Sequence, residues 1–154
     1  MAASVLVLGI GNVLMSDDGA GVHAARGLEP SDSDHLRVLD GGTLGLSLLA
    51  EIETCDALIV FDAARFGAEP GAVKTFTGSE MDAQLSGVKR TAHEVALCDL
   101  LNAAELIGRK PEFRALIGVE PDRVGWGLEP TETVASAIPE MRRVARELIE
   151  RWAS

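Results

Sequence analysis

Asp18, Asp62 and His93 are the residues of this chain best suited to bind a metal ion. Two carboxylates and an imidazole, without a thiolate, form a mixed oxygen and nitrogen donor set that suits a borderline first-row divalent ion. Three such ligands leave coordination positions open, and open positions are typical of sites that do chemistry. We therefore expect a metal-dependent functional site, provided that the fold brings these three side chains together.

The first acid follows a glycine-rich segment, Gly9 to Val22, with the sequence GIGNVLMSDDGAGV. It leaves a predicted strand, passes two glycines and enters a helix for which Ser16 is the predicted N-cap. A dinucleotide-binding loop requires a third glycine where Leu14 stands, although a nucleotide-binding domain stays open as an alternative. Asp17 and Asp18 could both serve only the helix dipole, for which one acid would suffice. The adjacent pair suggests a further use, such as binding a cation or positioning water.

Asp62 ends an apolar strand in the segment LIVFDAA. In open parallel sheets, ligands bind in the crevice outside the carboxyl ends of the strands, near the point where the strand order reverses. Asp62 and Asp18 would open onto the same crevice if the first and third strands are neighbours. Taken alone, Asp62 is better explained as a strand-ending acid that bonds its own loop backbone.

His93 lies in TAHEV, where Thr91 and Glu94 fit a capping box that opens a helix. This pattern accounts for Glu94 as a cap rather than as a catalyst. A neutral imidazole can ligate a metal or accept a proton, although a structural role is the better explanation of a single histidine taken alone. Other catalytic motifs fail, because Leu97 replaces the second histidine of H-E-x-x-H and Ser47 lacks the closing glycine of a nucleophile elbow.

The elements that must position these residues follow from the hydrophobic pattern. Short apolar runs bounded by Gly, Pro or Asp predict five strands, at Val5–Ile10, Leu36–Leu39, Ala57–Phe61, Ala72–Phe76 and Ala115–Val119. Helical periodicity predicts helices at Asp17–Gly27, Leu44–Glu53, Ala92–Gly108 and Thr131–Trp152, the last restarting at Pro139. The alternation of strands and helices along the chain predicts one domain over residues 1–154. Its expected architecture is a three-layer α/β/α fold with a five-stranded, mostly parallel, twisted sheet.

The amino-acid composition limits the kinds of partner and the cellular location that we expect for the chain. The chain has 154 residues, a 47% hydrophobic fraction and a formal net charge of -10, without a run of Lys or Arg, so nucleic acid is not an expected partner. The N-terminal apolar stretch is too short for a signal sequence or a membrane span, which predicts a cytoplasmic protein. Cys55 and Cys98 lie far apart without a C-x-x-C pattern, and we expect both to pack in the core.

The assembled motifs resemble those of the NiFe-hydrogenase maturation endopeptidases, the family that trims the C-terminus of the hydrogenase large subunit. The matching segments are GIGNVLMSDDGAG, LDGGT from Leu39 to Thr43, IVFDAA around Asp62, TAHEV around His93, and IGVEP from Ile117 to Pro121. Together they span most of the chain. The opening motif with its acid pair, joined to Asp62 and His93 at these separations, is the specific part of the resemblance.

The resemblance implies a metal set and a substrate. Asp18, Asp62 and His93 match the family's three metal-contacting positions, the first of which carries Glu or Asp. Asp40 matches another acidic position linked to function, although a turn acid before two glycines is an equal alternative. Asp18 and Asp40 are accordingly the candidate catalytic residues, and whether the mechanism is of the aspartic or the metallo type stays open.

The expected metal is nickel carried by the precursor of the large subunit, with zinc or cadmium as a substitute in vitro, and no further cofactor is expected. The protein is expected to be a monomer. The rival hypothesis is a non-enzymatic nickel-binding or metal-delivery module with the same ligands. Gly78–Lys89 and Gly125–Glu129 are predicted loops near which a substrate tail could dock.

Overall fold

The computed structural model describes residues 4–28, 35–41, 46–87 and 91–153. These residues form five strands: β1 Val5–Gly9, β2 Leu36–Asp40, β3 Ala57–Ala63, β4 Val73–Thr77 and β5 Phe113–Val119. A 3-10 turn at Ser16–Gly19 precedes the helices, which are α1 Ala20–Arg26, α2 Leu46–Thr54, α3 Ser79–Leu85, α4 Ala92–Leu106, α5 Glu132–Ala135 and α6 Ile138–Ala153. All five predicted strands are therefore confirmed, with ends that differ by one or two residues.

The strands form one sheet in the order β2-β1-β3-β5-β4. β1 pairs in parallel with β2 and with β3, β3 pairs in parallel with β5, and only β4 runs antiparallel to its neighbour β5. The prediction of a mostly parallel five-stranded sheet is confirmed. Because β2 lies on one side of β1 and β3 on the other, the strand order reverses between β1 and β3. A crevice is expected outside the carboxyl ends of these two strands.

Helices cover both faces of the sheet, which confirms the three-layer architecture. Val5 and Val7 of β1 point into an apolar cluster with α1 and α6, whereas Leu6 and Leu8 point into a second cluster with α2, α3 and α4. Burial on both faces is the reason why β1 and β3 are continuous apolar runs rather than alternating ones. Free, partly buried Cys55 and Cys98 pack against the second cluster, as predicted.

The predicted helix Asp17–Gly27 begins differently from the prediction. It opens with the 3-10 turn before α1, and Ser16 is not its N-cap. Ser16 instead has a positive φ of 54°, and its hydroxyl donates a hydrogen bond to the Glu129 carbonyl at 3.0 Å. A tertiary contact with a distant segment has thus replaced the local cap, and the residue pattern around Ser16 does not reveal that contact.

Of two further predictions, the helix restart at Pro139 is confirmed and the loop Gly78–Lys89 is not. Pro139 is the second residue of α6, so the predicted restart of the C-terminal helix is confirmed. The predicted loop Gly78–Lys89 is wrong for its described part, because Ser79–Leu85 forms α3. Met81 and Leu85, four residues apart, bury one face of this polar helix. No helix in the described part of the chain is long and apolar enough to cross a membrane.

Candidate active site

Asp18 and His93 meet at the carboxyl edge of the sheet. Asp18 lies in the 3-10 turn after β1, and His93 is the second residue of α4. The His93 Nε2 atom is 3.7 Å from the Asp18 Oδ2 atom. Ligand atoms that share one metal ion at bond lengths near 2.1 Å are about 3–4 Å apart. The spacing of this pair is therefore compatible with two ligands on a common ion.

The backbone around Gly11 fixes the position of Asp18. Gly11 has a φ of +130°, and a Cβ at this position would lie 2.0 Å from the Asp18 carbonyl oxygen. Asn12 then donates its backbone N–H to the Asp18 Oδ2 atom at 3.0 Å. Glycine is required here because the 3-10 turn packs directly on the chain that leaves β1.

Asp62 is a buried carboxylate near the end of β3, with an exposed fraction of only 1%. Its Oδ2 atom has no hydrogen-bond partner among the described residues. Burial raises the pKa of Asp62 well above its ordinary value, the carboxylates of Glu94 and Asp18 raise it further, and a backbone hydrogen bond with Ala63 lowers it. An unpaired carboxylate oxygen in such surroundings is costly, and a cation is the partner that would relieve the cost.

Glu94 has a second role at this site that the capping box does not indicate. The predicted capping box is present, with Thr91 N–H donating to Glu94 Oε1 at 3.0 Å and Glu94 N–H donating to Thr91 Oγ1 at 3.2 Å. Capping uses only one carboxylate oxygen, and Oε2 is buried without a partner in the described part of the chain. Burial raises the pKa of Glu94, and its Thr91 hydrogen bonds oppose that shift. Glu94 is also an acidic neighbour of Asp62, because its carboxylate raises the pKa of Asp62.

The three predicted ligands are neighbours but do not form a ready metal site. Asp18 and His93 are in contact range, and Asp62 interacts electrostatically with Asp18. Within the described ranges, no three His, Cys, Asp or Glu side chains are placed so that they could hold one ion together. The oxygen and nitrogen donors and the unpaired Asp62 oxygen fit a divalent cation. The metal site stays a prediction, and forming it requires these side chains to rearrange.

A cleft of about 470 Å³ adjoins the site. Its lining comprises Gly11, Asn12, Val13, Leu14, Val22, Asp40 and His93. Asp40, the last residue of β2, thus shares the cleft with His93, and its carboxylate accepts a hydrogen bond from Arg26 at 2.9 Å. The lining includes neither Asp18 nor Asp62, whose side chains are more buried than those of Asp40 and His93. The catalytic role of Asp40 stays a prediction, although its place on the cleft wall is compatible with that role.

Asp17 has a structural role that no sequence motif indicates. Its fully buried carboxylate accepts backbone N–H groups from Asp122, Arg123 and Thr131 at 2.6–2.8 Å, and also the Thr131 hydroxyl at 3.0 Å. The acid pair therefore divides, since Asp18 approaches His93 while Asp17 anchors the segment 122–131. These partners lie more than 100 residues away, and no local pattern indicates them.

The fold and the site define the class of this protein. It is an open α/β protein in which buried carboxylates and a histidine gather where the strand order reverses, next to a cleft. Ligand and catalytic sites of open α/β proteins occupy this position.

Comparison with known proteins identifies the family. Residues 22–147 match the family model of hydrogenase maturation proteases. The chain is 38% identical over 154 residues to the hydrogenase expression/formation protein HupD of Rhizobium leguminosarum bv. viciae, covering 98% of this chain and 76% of the relative. It is 34% identical over 151 residues to the hydrogenase 2 maturation protease of Escherichia coli (strain K12), covering 95% and 91%.

Comparison with solved structures identifies the same family as comparison of sequences. The hydrogenase maturating endopeptidase HybD from E. coli matches with a TM-score of 0.90 and 30% identity, covering 98% of this chain and 93% of that one. The chain belongs to the hydrogenase maturation protease family and is a hydrolase of the endopeptidase type. The resemblance to this family is thereby confirmed, whereas the roles of Asp18, Asp62 and His93 stay predictions.

Proposed function

We propose that this protein removes the C-terminal extension from the precursor of a NiFe-hydrogenase large subunit after nickel insertion, and that it recognises the inserted nickel. Family membership supports the protease activity. The observation that supports metal recognition is the Asp18–His93 pair, 3.7 Å apart, next to a buried Asp62 carboxylate that has an unpaired oxygen.

Nickel in this proposal belongs to the substrate. Asp18, Asp62 and His93 contact it and thereby fix the register of the precursor's C-terminal tail in the adjoining cleft. The cation offsets the charge of Asp62, whose burial disfavours the ionised form in the free protein. Nickel-loaded precursor thus brings a cation that stabilises the ionised Asp62 carboxylate, whereas nickel-free precursor brings no such cation.

Hydrolysis requires water to attack the scissile carbonyl carbon, the C–N bond to break, and the departing amine to take up a proton. A metal ion next to the peptide polarises the carbonyl and acidifies bound water. Asp18 and Asp40 are the candidate bases that accept the proton of the attacking water. Asp40 lies on the cleft wall, where the Arg26 guanidinium at 2.9 Å holds its carboxylate in place.

The test uses a histidine at the site and a matched histidine elsewhere. His93→Ala is expected to abolish cleavage of the nickel-loaded precursor without changing the melting temperature by more than a few degrees. His35→Ala is the control, because His35 is exposed and precedes β2 at the opposite edge of the sheet. Undiminished cleavage by His93→Ala would remove His93 from the proposed site.

Family membership favours a protease over the metal-delivery module and the nucleotide-binding domain. Three expectations stay predictions from the sequence: that zinc or cadmium can replace nickel in vitro, that the protein is a monomer, and that it is cytoplasmic.

A further inference from the structure

We propose that Leu14, Val124, Trp126 and Leu128 form a docking surface, here called the apolar rim, for a folded protein substrate beside the cleft. The identity of that substrate rests on the proposed function. The rim itself rests on the exposure, the anchoring and the position of these four side chains.

The rim exposes large apolar side chains together. Leu14 is 48% exposed, Val124 43%, Trp126 79% and Leu128 70%. Three of them lie within five consecutive residues, and the backbone bridge between Met15 and Gly127 joins Leu14 to them. Clustered exposed apolar surface is typical of interaction sites on soluble proteins, and tryptophan is among the residues that contribute most to binding energy at interfaces.

The backbone under the rim is firmly anchored. Ser16 N–H donates to the Gly127 carbonyl at 2.8 Å, and Gly127 N–H donates to the Leu14 carbonyl at 2.9 Å. The buried Asp17 carboxylate holds both ends of the segment 122–131. A surface fixed in this way loses little conformational entropy on binding, so its exposed side chains are preorganised for a partner.

The position of the rim identifies the occupant. Leu14 belongs to the rim and also lines the cleft that contains Asp40 and His93. A protein cut in this cleft must therefore lie against the rim. A precursor that already carries its metal centre is folded around that centre, and it can offer an apolar surface in addition to its tail. A second copy of this chain is disfavoured as occupant, because each copy carries a formal charge of -10.

The experiment is a single-turnover cleavage series with nickel-loaded precursor and increasing protease concentration. It yields a half-saturating concentration, which reports docking, and a plateau rate, which reports the chemical step. The double variant Trp126→Ser/Leu128→Ser is expected to raise the half-saturating concentration roughly 30-fold, the effect of losing an interface hot spot. The plateau rate is expected to change less than about twofold, because neither side chain belongs to the predicted ligand set.

The matched control is Leu106→Ser/Ile107→Ser. These two apolar side chains are also exposed, at 89% and 56%, but they lie at the far end of α4, about 20 Å along the helix from His93. The control should leave both kinetic parameters unchanged. Circular dichroism and melting temperature verify folding, and Trp126→Ala alone provides a second, milder variant.

Two results would overturn the proposed docking surface. One is an unchanged half-saturating concentration of the double variant, whatever its plateau rate, and the other is a wild-type dimer that the double variant converts to a monomer. If the wild type binds the precursor without cutting it, the proposed function fails, and biolayer interferometry then tests the rim by itself. In that case a tenfold or greater affinity loss in the double variant supports the rim, and equal affinity refutes it.

Discussion

Replacing Asp62 by asparagine is expected to make the metal-free protein more stable at neutral pH while abolishing its activity. The amide has nearly the same shape as the carboxylate and removes a charge that is 1% exposed and has one oxygen without a described partner. Burial first, and the Glu94 and Asp18 carboxylates next, raise the pKa of Asp62 in the folded state. In the unfolded chain this pKa returns to about 3.9.

The direction of the pH dependence follows from this difference. Because the folded-state pKa is the higher one, the stability associated with protonated Asp62 is fully present below the unfolded-state pKa. That stability is lost as the pH rises from there through the folded-state pKa. An asparagine at this position does not titrate, so it contributes no such pH dependence to the stability. The stability advantage of the variant is therefore expected to be smallest near pH 4 and to grow toward pH 7.

The size of the effect can be set from the cost of an unsatisfied buried group. Such a group costs about 1–3 kcal/mol, and more when it is charged. The amide leaves a polar atom at the same buried position, so the variant removes only the additional cost of the charge, which we expect to be about 2 kcal/mol at pH 7. For a chain of this size, the melting temperature should rise by roughly 4–8 °C.

The assay is thermal and urea unfolding in a metal chelator from pH 4 to pH 8, with the exposed Asp99→Asn in α4 as control. A variant that is less stable than the wild type at pH 7, or whose advantage does not depend on pH, would refute the reasoning.

Three further predictions concern the residues that build the site. Asp17→Asn should lower the free energy of unfolding by about 2–4 kcal/mol in urea titrations, because the charge-assisted hydrogen bonds to segment 122–131 weaken. An unchanged urea midpoint would contradict the anchoring role of Asp17. Gly11→Ala should abolish cleavage and lower the melting temperature, since its Cβ would lie 2.0 Å from the Asp18 carbonyl oxygen; normal activity would show that the turn can shift. Glu94→Gln retains a capping side chain and removes a like charge next to Asp62. The protein should therefore lose less stability between pH 4 and pH 7 than the wild type, and cleavage should persist. If the stability of the variant depends on pH as that of the wild type does, the two carboxyl groups do not interact.

Much of the fold could be predicted because its central strands are buried on both faces. β1 and β3 are continuous apolar runs with glycine or aspartate at their ends, and this pattern is typical of the inner strands of a parallel sheet. Helix α3 was not predictable, because a seven-residue helix with only two buried side chains leaves almost no periodicity in the sequence. The predicted cap at Ser16 was wrong because a hydrogen bond to Glu129, 113 residues away, determines the conformation of Ser16.

The site was predictable where its residues end strands or begin helices. Asp62 lies near the end of β3 and Asp18 follows the neighbouring parallel strand β1, so their convergence depends only on the strand order. Asp17 was not separable from Asp18, because both fit the first turn of a helix and only tertiary contacts distinguish them. The second role of Glu94 was hidden because the capping box by itself accounts for a glutamate at this position.

The most direct test of metal recognition compares nickel-loaded with nickel-free precursor as substrates of the wild-type protein. Purified precursor in each state is incubated with the protease, and mass spectrometry measures the rate at which the shortened large subunit appears. Recognition of the metal predicts rapid loss of the C-terminal extension from the nickel-loaded precursor and no product from the nickel-free precursor. Equal cleavage of both precursors would contradict recognition of the metal by Asp18, Asp62 and His93.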